Sequence, residues 1–63
     1  MEFILLRDAL TDNLMIIRKS MISSVEETTH DNKSVRKVCY TDGKTCEYVQ
    51  NSLMDIFNAL KET

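Results

Sequence analysis

The sequence has no proline, a single glycine, a single histidine and only two cysteines in 63 residues. Each scarcity excludes something. Without proline there is no rigid proline-rich linker, and no low-complexity stretch or internal repeat takes its place. One glycine, Gly43, cannot build a glycine-rich phosphate loop. One histidine and two cysteines fall short of the four ligands of a structural zinc site, so no metal or cofactor is expected. Two cysteines are also too few for a secreted disulfide framework. Charge of one sign is missing too: ten acidic and eight basic residues give a net of −2. Like charges run no longer than two (Arg18-Lys19, Glu26-Glu27, Arg36-Lys37), so the footprint of a polyanion binder is absent. No apolar run approaches the roughly 18 residues needed to span a bilayer. Glu2, Arg7 and Asp8 interrupt the stretch from Met1 to Leu10, which argues against a secretion signal. Cytoplasmic location, with reduced thiols, is the expectation.

What is present reads as short strands. Phe3-Ile4-Leu5-Leu6 and Leu14-Met15-Ile16-Ile17 are apolar runs of strand length, separated by the turn cluster Thr11-Asp12-Asn13. A helix over residues 9–18 competes, since Leu and Met propagate helices well. The turn cluster favours two strands. Lys19-Ser20-Met21 reads as a corner with one 3₁₀ turn. A third strand follows over Ile22–Thr29, then a polar loop from His30 to Lys33, in which His30 is a solvated residue.

Val35–Thr41 and Lys44–Val49 flank Asp42-Gly43, the pattern of a two-residue type I′ hairpin. In that register Thr41 faces Lys44, Tyr40 faces Thr45, and Cys39 faces Cys46 across a hydrogen-bonded pair. Ser52 is the natural N-cap of a last helix, with Asp55 three residues on. Leu53, Ile56, Phe57 and Leu60 form its apolar stripe. The predicted fold is a small α+β domain: a mostly antiparallel five-strand sheet (β-β-β-β-β-α) with one C-terminal helix.

A chain this short buries only about 60% of the surface its unfolded form exposes, so it needs help from a staple or a partner. The first two strands are apolar on both faces, and one short helix covers only one side of a sheet. Self-association is therefore expected, with Ile4, Leu6, Met15, Ile17 and Tyr48 as interface or pocket residues. A sheet curled into a small barrel, or an obligate partner of different sequence, are the other ways to hide the second face. Met15, Met21 and Met54 suit a pliable surface and ordinary packing equally.

No catalytic constellation appears. Serine, histidine and aspartate occur without the spacing of a nucleophile elbow. Glu26 and Glu27 point to opposite faces of a strand, and a rim ion pair with Arg36 or Lys37 is the expected role. Tyr40 and Tyr48 lie on opposite faces without interleaved basic residues, which argues against base stacking. Cys39 and Cys46 are close enough for a redox pair, although side-by-side packing explains them as well.

The chain expected from these residues is a non-enzymatic interaction module or accessory factor. A binder of a small metabolite or nucleotide, with sites between subunits, is the alternative, and a nucleic-acid-associated regulator the third. The order Met21-Ile22-Ser23-Ser24-Val25-Glu26-Glu27, then Asp42-Gly43-Lys44, then Ser52 before Leu53, resembles a family of small bacterial proteins. These are the flagellar and swarming-motility proteins of the FlbD/SwrD type. The resemblance implies two apolar strands, a hairpin and a C-terminal helix in an accessory factor without catalytic residues. Leu10-Thr11-Asp12-Asn13 stands where that family turns on Asn-Gly, and the loop from Thr29 to Ser34 is longer.

Overall fold

The computed structural model describes residues 2–62. Its elements are β1 (Phe3–Arg7), β2 (Leu14–Arg18), a 3₁₀ turn (Lys19–Met21), β3 (Ile22–His30), β4 (Lys33–Tyr40), β5 (Cys46–Val49) and α1 (Leu53–Lys61). This is the α+β order predicted, with all strand pairs antiparallel. The strands divide into two sheets, β1–β2 and β3–β4–β5. Between them only Asp8, just beyond the end of β1, bridges to Val49.

The competing helix over residues 9–18 does not form, because side-chain caps hold a turn there. The Asp8 carboxylate accepts from the amides of Leu10 (2.7 Å) and Thr11 (3.1 Å), and Asp12 takes a left-handed φ of 65°. The polar loop after β3 is tighter than expected. Asp31 and Asn32 both have positive φ (52° and 64°), the signature of a two-residue type I′ turn. Strand pairing consequently extends to His30 and Lys33.

The turn predicted as type I′, Asp42-Gly43, is a different one. Gly43 alone of the two is left-handed, at φ 77°. Its amide donates to the Tyr40 carbonyl (3.2 Å), while Tyr40 N–H donates to the Thr45 carbonyl (2.9 Å). The loop is thus four residues, Thr41 to Lys44. The Thr41 amide donates to Met21 instead of to Lys44. The Asp42 carboxylate accepts from the amides of Lys44 (2.9 Å) and Thr45 (2.8 Å) and from the Thr45 hydroxyl. Those bonds hold Asp42 well below the usual carboxylate pKa range, the hydroxyl contributing most. Both loops are symmetric about the same centre, so Cys39 still faces Cys46.

Ile4, Leu6, Val38, Val49 and Ile56 form the core, with Met15, Ile17, Val25, Tyr40 and Leu60 packed against it. The helix begins as predicted, Ser52 accepting from the Asp55 amide (3.1 Å). Lys19, on the corner between the sheets, donates to the carbonyls of Ala59 and Glu62 at the helix end. Only Ile56 of the apolar stripe is fully buried; Leu53 and Phe57 stay exposed.

A seam joins the two sheets through the residues just after β5. Gln50 N–H donates to the Arg7 carbonyl (2.8 Å), and Arg7 N–H donates to Asn51 Oδ1 (2.8 Å). The Arg36 guanidinium donates to the carbonyls of Asn51 (2.7 Å) and Gln50 (2.6 Å). Its side chain is only 12% exposed, and it lies 3.4 Å from Glu27, the ion pair expected at the sheet rim.

Candidate interaction surfaces

Strand alternation sorts the interface candidates by face. Across β1 and β2, Ile4 faces Ile17 and Leu6 faces Met15, so these four share one side. That side is the inner one. Ile4 and Leu6 are core residues, not surface, and Met15 and Ile17 are half-buried against them. The exposed apolar face belongs to their neighbours Phe3, Leu5, Leu14 and Ile16. Leu5 and Ile16 face each other across the hairpin at 55% and 71% exposure. No local signal marks this face. Both sides of the hairpin are apolar, and the choice depends on where β4, β5 and α1 pack.

Charge flanks the apolar centre at both ends. The Arg18 guanidinium lies 4.7 Å over the Phe3 ring and pairs with Glu2 at 2.7 Å. At the other end Arg7 donates to the Asp12 carbonyl (2.8 Å). The rim therefore carries both signs of charge.

A second apolar surface lies between β3 and α1. There a groove of about 450 Å³ is lined by Ile22, Val25, Leu53, Met54, Phe57 and Leu60, with Ser23 and Ser24 at its polar margin. Sequence periodicity indicated an apolar helical stripe. It did not indicate that Leu53, Met54 and Phe57 would stand clear of the sheet.

Tyr48 sits elsewhere, on the outer face of the three-stranded sheet. It is half-buried, with its ring stacked on His30 at 4.9 Å between centroids. Pairing register lays out that face in rows: Ser24, Cys39 and Cys46; then Glu26, Lys37 and Tyr48; then Thr28 and Val35. The free thiols of Cys39 and Cys46 touch, with Sγ atoms 2.6 Å apart. Their hydrogen bond pushes the Cys46 thiol pKa up, while the positive charge of Lys37 opposes that shift. On the inner face the Tyr40 hydroxyl donates to Glu47 Oε2 (2.6 Å), and burial together with that carboxylate raises the phenol pKa strongly.

Among the described residues, no group of three or more His, Cys, Asp and Glu side chains is placed to hold a metal ion. No helix there is long and apolar enough to cross a membrane. Comparison with protein-family models, with curated proteins and with solved structures returned no match.

Proposed function

We propose that this chain is a non-enzymatic interaction module that associates with a second copy of itself through the outer face of the β1–β2 hairpin. One observation carries the reading: Leu5 and Ile16 form an exposed cross-strand apolar pair between Phe3 and Leu14. Eight such side chains, four from each copy, supply on the order of 10 kcal/mol when covered. Association itself costs about 4–15 kcal/mol. Terms so close in size predict a dimer that responds to concentration. The same role fits the accessory, non-catalytic factor implied by the FlbD/SwrD resemblance.

Light scattering across a concentration series, with reductant present, tests this. The 7.3 kDa chain is expected to rise toward twice its mass. The double variant Leu5→Lys/Ile16→Lys is expected to stay monomeric with an unchanged circular dichroism spectrum. A wild-type monomer at every concentration overturns the proposal.

The groove between β3 and α1 favours a second reading, a small-ligand binding or sequestering protein. Its volume of about 450 Å³ falls in the range of small-molecule sites, about 300–1,000 Å³. A compound that binds there raises the thermal midpoint by mass action, and Phe57→Ala is expected to abolish that rise.

A further inference from the structure

The outer face of the three-stranded sheet carries a pair of thiols that the interaction role does not use. Antiparallel strands alternate between hydrogen-bonded pairs and non-hydrogen-bonded pairs, and the latter bring side chains closer. Tyr40 N–H donates to the Thr45 carbonyl, which makes 40/45 a hydrogen-bonded position. Alternation then places Cys39 and Cys46 at a non-hydrogen-bonded position, not at the hydrogen-bonded one a two-residue loop implies. Cα atoms at such a position lie about 4.5 Å apart, within the range a disulfide spans. The four-residue loop is what creates this arrangement, and the Asp42 bonds to Lys44 and Thr45 hold the loop in place.

Access points the same way, and Lys37 partly offsets the upward push on the Cys46 thiol. Cys46 is exposed and Cys39 half-buried, so an external reagent reaches Cys46 first and Cys39 lies directly behind it. Lys37 stands two residues from Cys39 on the same face, next to the thiol pair in the register. A neighbouring ammonium group favours thiolate formation.

We propose that Cys39 and Cys46 form a reversible dithiol–disulfide site that exchanges with low-molecular-weight disulfides of the glutathione type. The Cys46 thiolate attacks one sulfur of the external disulfide. A mixed disulfide forms, and one external thiolate leaves. The Cys39 thiolate then attacks the Cys46 sulfur, closing the cross-strand disulfide and releasing the second external thiolate. Two electrons pass from the protein to the external disulfide, and the two protein protons end on the released thiols. Reduced dithiol reagents reverse both steps. Closure is internal to one chain, on a face other than that of Leu5 and Ile16, and so does not depend on self-association.

The test uses the reduced full chain in graded mixtures of oxidised and reduced glutathione, quenched with acid. Intact mass and thiol titration are then read together. The expected result is the joint loss of both titratable thiols, with a mass lower by two hydrogens and no attached glutathione. Dithiothreitol is expected to restore both thiols. Cys39→Ser removes the resolving sulfur and leaves the fold's exposed surface otherwise intact. In that variant the glutathione adduct on Cys46 is expected to persist roughly 100-fold longer than in the wild type, because the internal attack is lost. A wild-type chain that keeps both thiols, holds glutathione as a stable adduct, or oxidises only to disulfide-linked dimers overturns the proposal.

Discussion

The two sheets share one core and treat the outside differently. In β3–β4–β5 the inner face carries Val25, Val38 and Val49, and the outer face mixes Ser24, Glu26, Lys37 and the thiols with Tyr48 and a buried Val35. In β1–β2 the inner face carries Ile4, Leu6, Met15 and Ile17, and the outer face is again apolar. The three-stranded sheet is a finished surface within one chain. The hairpin is not, since Phe3, Leu5, Leu14 and Ile16 stay exposed among the described residues. An alternating pattern gives a strand one dry and one wet face, and a two-sided pattern leaves an apolar face uncovered once the other is packed.

The largest effect that separates the two faces comes from adjacent residues of β1. Leu6 is 1% exposed, and Leu6→Ala is expected to cost about 2–5 kcal/mol by opening a cavity. That is much of the total stability of a domain this size, about 0.05–0.15 kcal/mol per residue. Leu5→Ala, one position away, is expected to cost under about 0.5 kcal/mol in the monomer while weakening association. Urea unfolding of both variants at low protein concentration checks this, and equal losses would erase the distinction between faces.

The next effect tests whether the sheets are coupled. Arg36→Met keeps the apolar stem and removes the bonds to the Asn51 and Gln50 carbonyls. A loss of about 1.5–3 kcal/mol is expected for bonds made by a charged donor. Amide exchange should rise first in β1, across the seam, and an increase confined to β4 would mean the sheets are independent.

The smallest effect sharpens the comparison by touching only the three-stranded sheet. The folded-state pKa of Asp42 lies below its unfolded value, so its contribution is complete above the unfolded value, about 3.9. It is lost as pH falls through the depressed folded value. Asp42→Ala is expected to be less stable at neutral pH and to lose less than the wild type during acidification. Circular dichroism between neutral and strongly acid pH reads the difference; parallel acid curves would remove Asp42 from the hairpin's account.

Much of this fold was legible because turn chemistry and apolar runs are local. The 3₁₀ corner at Lys19-Ser20-Met21, the Ser52 cap and the Cys39–Cys46 register all follow from nearest neighbours. The turn types did not. Asp-Gly satisfies a type I′ turn, yet Thr45 offers Asp42 a better set of donors in a wider loop. Asp31-Asn32, read as part of an open loop, takes the tight turn instead, both residues tolerating positive φ. The burial of the candidate residues has a non-local reason. Alternation separates Ile4 and Leu6 from Phe3 and Leu5, and Met15 and Ile17 from Leu14 and Ile16. Which face turned inward was decided by Val38, Val49 and Ile56, far along the chain from both strands.

The seam between Arg7 and Asn51 spans 44 positions of sequence, and this separation bears on how the chain is made. The hairpin with two apolar faces emerges before the residue that anchors it. At roughly 5–20 residues per second, several seconds pass between the synthesis of β1 and that of its anchor, with both faces of β1–β2 uncovered. During that interval the inner face of the hairpin, which ends buried in the finished chain, is as open to water as the outer one.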